Sequence, residues 1–484
     1  MRFNFKQIAS FSGLLLIING IFMFLCLPFS IYYNEPIYPL GLSGLIALLT
    51  GGTIWFINRK NENKELKKKD GYLVVIVGWL TMSLFGTFPF LLSGEISNFT
   101  DAFFETISGF TTTGASILTD IESVSKGILF WRSLTQWIGG MGIIVLAVAI
   151  LPILGIGGMQ LFIAEAPGLS PDKMKPRIKE VAKRLWFIYI GLTMLEMVLL
   201  MFGGMNFYDA INHALTTMAT GGFSTKNASI AHFDSAYIQY VITFFMFLAG
   251  TNFTITYYGL KGKFAKVWSN EEFRNYLILV ILLSVCISFF VFSSKWEGFE
   301  KSFRDSIFQV VSIITTTGFV SADYTAWAPF LTIIFFLLMF VGASAGSTAG
   351  GVKIIRHTLL FKNSFLEMKR QLHPSAVIPV RLNSQAVSRD ITYNVLAFVM
   401  IYLLIYGVGV FLISFTGVDF DTALGAVATC LGNIGPGLGS VGPVNNFAHI
   451  TPFGKWLLAG LMLLGRLELF TVLMLFNPNF WKKY

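Results

Sequence analysis

Charge is what this chain is short of. Asp, Glu, Lys and Arg make up 13% of its 484 residues, against about a quarter in an ordinary soluble domain. Hydrophobic residues make up 54% and the mean hydropathy is +0.68. Too few charges remain to coat a water-facing surface, which excludes a soluble globule and leaves a polytopic membrane protein. Cysteine is scarce as well. Cys26, Cys286 and Cys430 each lie inside an apolar segment without CxxC spacing, which excludes a disulfide framework and a thiolate metal site and leaves packing residues. The sequence has no HExxH and no GxxxxGK[ST], so metallopeptidase and P-loop chemistry lack their signatures, and no enzymatic reaction is expected. His213 reads as packing or loop polarity. The net charge of +9 fits basic cytoplasmic loops and implies no nucleic-acid partner.

What is present is a series of apolar runs. About 20 apolar residues cross a hydrocarbon core of about 30 Å, and ten such runs are found: 8–32, 39–58, 72–93, 128–156, 185–204, 236–259, 275–293, 328–355, 391–415 and 453–476. The first has no small-residue cleavage site after it and reads as a retained span, not a signal peptide. Of the 35 Lys and Arg residues, 27 fall in the segments on one side of these spans: the N-terminus, 59–70, 157–184, 260–274, 353–390 and the C-terminus. That asymmetry puts both termini in the cytoplasm, in the cytoplasmic membrane.

Between the spans a pattern recurs four times. Asp101, Asp209, Asp305 and Asp421 each open a short apolar stretch that closes on a glycine, Gly114, Gly222, Gly318 and Gly435. Each Asp is expected to cap a helix start. The following ten or so residues make a helix of about 15 Å, half a bilayer, whose negative end points to the membrane centre. Glycine then allows the backbone to return with carbonyls turned to one side, and non-helical backbone at that depth is tolerated around an ion or water path. Direct repetition implies a rotational axis along the membrane normal. The fold class expected is an all-α polytopic membrane protein, with ten transmembrane helices, four re-entrant pore helices and a fourfold pseudosymmetric pore like that of a K⁺ channel. The expected units are a two-helix prefix 1–70, then repeats 71–184, 185–274, 275–390 and 391–484.

The loops read Thr111-Thr112-Thr113-Gly114-Ala115, Ala219-Thr220-Gly221-Gly222-Phe223, Thr315-Thr316-Thr317-Gly318-Phe319 and Gly432-Asn433-Ile434-Gly435-Pro436-Gly437. They look like degenerate TVGYG filters. Four unlike filters in one chain behind two extra helices resemble the TrkH branch of the Trk/Ktr/HKT potassium transporter superfamily, over essentially the whole chain, including Ala164-Glu165-Ala166-Pro167-Gly168 and Gly465-Arg466-Leu467-Glu468-Leu469. The resemblance implies potassium uptake, with K⁺ held by Thr111, Thr112, Thr113, Gly114, Thr220, Gly221, Gly222, Thr315, Thr316, Thr317, Gly318, Asn433, Ile434 and Gly435. Glycine at all four centres fits the potassium-selective members, since sodium-transporting relatives carry Ser at the first. It further implies a homodimer and a TrkA-like cytosolic ring of nucleotide-binding regulatory subunits. NAD or ATP/ADP would belong to that ring, with no organic cofactor in this chain. The basic stretches 59–69, 173–184 and 353–389 are candidates for docking it, or for fixing topology and touching anionic lipid.

Two features lie where a gate would be. The stretch 342–351 is rich in Gly and Ser, a poor helix, and mid-membrane it must line a cavity or be covered by protein. By resemblance it is an intramembrane loop below the filter, with Gly346, Ser347, Gly350 and Gly351 in it; a tight helix crossing is the alternative. Arg466 sits mid-span, where a guanidinium costs at least about 2.5–3.5 kcal/mol. By resemblance it projects into the pore; otherwise it pairs with Glu468 of a neighbouring protomer or with Glu196. A Na⁺- or H⁺-coupled secondary carrier is the competing class, for which Glu196 and Glu468 are the acidic residues inside spans.

Overall fold

The computed structural model describes residues 3–59, 68–145, 175–295, 298–376 and 378–482. Among the described residues regular structure is helical apart from a short hairpin pairing Arg381–Leu382 with Gln385–Ala386 and an isolated bridge between Gly342 and Lys353. Among the described residues six helical segments are long and apolar enough to cross a bilayer, or eight if two sharply bent pairs each count as one. The first inner span expected at 128–156 is seen as a helix Lys126–Val145, and its remainder lies outside the described residues, as do 60–67 and 164–174 of the stretches expected to be basic or cytoplasmic.

The prefix is a helical hairpin, Phe5–Phe24 against Tyr38–Asn58. Its two helices touch through glycines. A Cβ at Gly13 would lie 2.8 Å from the Gly51 carbonyl oxygen, and one at Gly20 would lie 2.8 Å from that of Gly44. Small residues at both crossings let backbones meet where larger ones would hold them apart. The hairpin then packs on the helix Lys68–Gly86, with the Asn19 amide donating to the Met82 carbonyl at 3.3 Å.

Polarity is distributed inside out. The long helices Glu271–Lys295 and Arg389–Ser414 expose Ile278, Leu282, Phe289, Met400, Leu404 and Phe411, as lipid-facing surfaces do. The buried interior carries the Thr, Ser, Asn and Gln side chains of four half-length helices: Phe99–Phe110, Phe207–Met218, Phe299–Ile314 and Phe420–Gly432. With 12, 12, 16 and 13 residues, they span about 18–24 Å, too short to cross a core of about 30 Å.

The start of these helices corrects one expectation. The side-chain caps are Asn98, Asn206 and Asp419, accepting from Thr100, Asp209 and Thr422, and the third helix starts at Gly298 without one. Asp101, Asp209 and Asp421 instead lie in the first turn, still facing the positive end of the helix, and Asp305 lies further in. With capping taken over by a neighbour, two of these carboxylates are free to reach elsewhere. Asp101 accepts from Lys455 Nζ of the last repeat at 2.6 Å, and Asp209 accepts from Thr225 Oγ1 at 2.6 Å.

Each half-length helix is followed by a loop and an inner helix, and among the described residues three inner helices break. Ala236–Ala249 turns by 113° into Phe253–Leu260, and Pro452–Arg466 by 115° into the segment starting at Leu469. In the third repeat Pro329–Leu338 ends and helix resumes only at Ile354–Leu372. The sequence predicts the third break alone. The second is set by Asn252, whose side chain accepts from Thr254 N at 2.8 Å and starts a new helix. The last is at Glu468, in the left-handed region at φ +64°.

Candidate functional site

The four half-length helices end in the same way. Thr112, Thr220, Thr316 and Asn433 have φ of 52°, 52°, 55° and 56°. The next residue's N–H reaches back to a helix carbonyl: Thr113 to Ser108, Gly221 to Thr216, Thr317 to Ser312 and Ile434 to Thr429, at 2.8 to 2.9 Å. This is a Schellman closure with Thr or Asn where glycine is usual. A left-handed β-branched residue costs roughly 1–2 kcal/mol, so a conformation chosen three times by Thr is imposed by its surroundings. Two residues on, Gly114, Gly222, Gly318 and Gly435 are again at positive φ, 82°, 77°, 79° and 103°, while the residues between are not. Alternating the sign of φ turns successive peptide groups the same way, the inverse of a straight strand.

The loops close on one another. A Cβ built on Gly114 would run into the carbonyl oxygen of Gly221; one on Gly222 into that of Thr317; one on Gly318 into that of Ile434; and one on Gly435 would sit 2.8 Å from that of Thr113. Loop one therefore abuts loop two, two abuts three, three abuts four, and four returns to one. The four segments surround a common axis in chain order, and a side chain at any of the four centres would enter its neighbour's backbone.

The sequence-predicted ion residues Thr111, Thr112, Thr113, Gly114, Thr220, Gly221, Gly222, Thr315, Thr316, Thr317, Gly318, Asn433, Ile434 and Gly435 are all brought into this ring or directly beneath it, and all but Gly114 and Gly222 are buried outright. Thr111 and Thr113 hydroxyls meet at 2.8 Å, as do those of Thr315 and Thr317, and Asn433 Nδ2 donates to Thr113 Oγ1 at 3.0 Å.

Behind the ring stands a polar scaffold that sequence reasoning missed. Glu105 accepts from Arg132 Nε at 2.7 Å, from Ser116 Oγ at 3.0 Å and from Ile117 N at 2.8 Å, pinning the limb that leaves loop one. The matching residue in repeat two is His213, bonded to Ser224 Oγ at 2.8 Å and to the Asp209 carbonyl at 2.7 Å; in repeat three it is Gln309, 3.4 Å from Ser321 Oγ. Gln136, one turn after Arg132, donates to the Gly221 carbonyl at 2.6 Å and accepts from Phe223 N at 3.1 Å, holding both sides of Gly222. Glu105, His213 and Gln309 each follow their Asp by four residues, and aligning the repeats on those Asp residues would have picked them out.

Under the ring lies the irregular stretch between Leu338 and Ile354. Gly350 N donates to Thr316 Oγ1 at 2.6 Å, and a Cβ at Gly350 would lie 2.6 Å from the Gly432 carbonyl. Thr348 Oγ1 bonds to the carbonyls of Met218 at 3.0 Å and Ala249 at 3.2 Å. Gly346 and Gly351 take φ of 71° and 65°, Gly346 accepts from Phe253 N at 3.2 Å, and Ser347 Oγ donates to Ser344 O at 2.6 Å. Arg466 donates to the Thr348 carbonyl at 2.6 Å and to that of Gly139 at 3.1 Å. The stretch thus touches repeats two, three and four, and Arg466 ties it to repeat one. A tight helix crossing is excluded here, because no helix is present. Nor does Arg466 pair with a carboxylate among the described residues: Glu468 is taken by Arg356, whose guanidinium lies 3.8 Å over the Phe398 ring centroid, and Glu196 is buried beside Thr217. Lys353 Nζ bonds to the Ala349 carbonyl and, at 3.3 Å, to that of Gly350.

The family model for TrkH, a cation transport protein, matches residues 42–296 and 297–483. The chain belongs to the TrkH family. Among its relatives, the Trk system potassium uptake protein TrkH of Salmonella typhimurium is 42% identical, over 99% of this chain and all of that one. TrkH of Vibrio parahaemolyticus is 40% identical over the same shares, and TrkG of Escherichia coli is 34% identical over 93% of each. The crystal structure of the potassium transporter TrkH from Vibrio parahaemolyticus superposes with a TM-score of 0.91 at 37% identity, covering 99% of this chain and all of that one. The TrkH fold therefore holds from end to end, in a multi-pass membrane protein.

Proposed function

We propose that this chain takes up potassium across the cytoplasmic membrane through the opening ringed by its four loops. The observation that carries the reading is the closed cycle of glycine-to-carbonyl contacts: four unlike loops with one backbone pattern, meeting at one axis, are what a single-chain filter requires. Backbone and Thr oxygens of Thr111 to Gly114, Thr220 to Gly222, Thr315 to Gly318 and Asn433 to Gly435 would take the place of water around K⁺, and the negative ends of four half-length helices would stabilise the cation below. K⁺ is the cargo of such a pore. A potential of 100 mV contributes about 2.3 kcal/mol per charge, roughly a 50-fold accumulation without a chemical step.

Within this reading the topology is ten membrane spans and four re-entrant helices, both termini cytoplasmic, divided at residues 70, 184, 274 and 390. The stretch holding Gly346, Ser347, Gly350 and Gly351 is a gate, and Arg466 latches it and repels cations. The arrangement described is then the closed one. A homodimer and a cytosolic nucleotide-binding ring complete the system, the ring carrying the nucleotide and docking on the basic cytoplasmic face.

The test is flux of radiolabelled Rb⁺ into liposomes of purified protein, with and without an imposed proton gradient. Saturable Rb⁺ entry that exceeds Na⁺ entry and follows the potential alone supports the pore. Entry that requires the proton gradient supports a coupled carrier instead, the second reading, which the buried Glu196 against the second half-length helix favours.

A further inference from the structure

Each loop continues upward from its central glycine, and the second residue after that glycine is Ser116, Ser224, Val320 and Gly437 in loops one to four. In all four loops the carbonyl of this residue accepts a hydrogen bond from the repeat that precedes it around the ring. Arg132 Nη1 of repeat one donates to Ser224 at 3.1 Å. Ala231 N of repeat two donates to Val320 at 3.0 Å. Tyr324 Oη of repeat three donates to Gly437 at 2.9 Å. Phe447 N of repeat four donates to Ser116 at 2.8 Å.

We infer that these four bonds form a collar that sets the width of the ion path, and that Arg132 and Tyr324 are positioning residues for K⁺ over Na⁺ discrimination. The inference rests on the potassium-pore reading and deepens it. Each bond draws one limb outward against the preceding repeat, so that the oxygens beneath cannot close around a smaller ion. The donors differ in kind. Loops one and three, opposite each other, are held by main-chain N–H groups, which of the natural residues only proline would remove. Loops two and four are held by side chains. Both are built in firmly: Tyr324 is fully buried with its ring 5.0 Å from that of Phe335, and Arg132 is buried, pinned by Glu105 and lying 3.5 Å over the Phe223 ring centroid. Neither touches the ring glycines, so their effect passes through the limb they hold.

Tyr324→Phe removes one donor and leaves the ring in place. In proteoliposomes it is expected to keep Rb⁺ entry and thermal stability near those of the parent while the Rb⁺ to Na⁺ entry ratio falls about five-fold, the weight of one buried hydrogen bond. Arg132→Lys keeps the charge beside Glu105, but one ammonium cannot fork to both Glu105 and Ser224, and the ratio should fall in the same direction. Tyr240→Phe, which removes an exposed phenol bonded to Glu300 away from the ring, should leave the ratio unchanged. An unaltered ratio in Tyr324→Phe with normal Rb⁺ entry overturns the collar, even if Arg132→Lys fails to fold. A parent protein that carries no Rb⁺ refutes the potassium-pore reading itself, and the collar with it.

Discussion

Replacing Arg466 with Ala tests the gate most directly. Its guanidinium donates to Thr348 in the irregular stretch at 2.6 Å and to Gly139 in the first inner helix at 3.1 Å. If the stretch swings aside to open the path, the bond to Gly139 can persist, and the bond to Thr348 is lost. A hydrogen bond from a charged donor contributes about 1.5–3 kcal/mol, so its removal shifts the closed-to-open ratio by roughly 10- to 150-fold. Loss of the positive charge below the ring acts with the same sign, because a fixed cation on the path raises the energy of a passing one. Arg466→Ala is therefore expected to raise Rb⁺ entry at least about 10-fold, measured in proteoliposomes at matched protein content. Arg466→Lys, which keeps the charge and at most one of the bonds, should fall between. Unchanged or lower entry in a monodisperse, folded Arg466→Ala protein would refute the latch.

Gly318→Ala places a Cβ on the Ile434 carbonyl and on a left-handed backbone, and Rb⁺ entry should be lost while the protein still inserts and purifies; retained entry would break the claim that loops three and four abut. Lys455→Met leaves Asp101 without its partner, and because Asp101 is part-exposed the loss should be moderate, about 1–3 kcal/mol, read as a lower thermal midpoint that the double variant with Asp101→Asn largely restores. Hydrogen bonding from Thr422 holds the Asp419 carboxyl below its ordinary value near 3.8; the contribution is complete above that value and lost as pH falls through the lower, folded one. Asp419→Asn should accordingly lower the thermal midpoint near neutrality slightly and flatten the decline on the acid side of pH 4, so that variant and parent converge as pH falls, followed by thermal unfolding from pH 3 to 7.

Much of the architecture could be read from the chain because it repeats. The Asp-to-glycine offset, the Thr-rich loops, the broken third inner helix and the odd guanidinium at Arg466 all stand out against apolar surroundings, and the structure places them together. The misses share a cause. Capping passed from the expected Asp residues to Asn98, Asn206 and Asp419 because several residues near a helix start can serve, and only geometry selects one. The break at Asn252 rests on a single side chain, and that at Glu468 on no helix-breaking residue. The bonds onto Ser116, Ser224, Val320 and Gly437 come from a guanidinium, a phenol and two main-chain groups, donors with no common letter to find. The order in which the loops meet depends on contacts between repeats about a hundred residues apart, and across some 320 residues where Asn433 meets Thr113, which no local window contains.

The glycine crossings of the opening hairpin bear on biogenesis. Gly13, Gly20, Gly44 and Gly51 form their contacts within the first two spans alone, so this pair can dock in the bilayer as soon as both have left the translocon, before any ring-forming segment is made. It would then stand as a finished wall against which Lys68–Gly86 and the rest of the first repeat are laid down. A bulky residue at Gly13 or Gly51 should accordingly reduce the yield of inserted protein more than it alters the ion turnover of the molecules that mature.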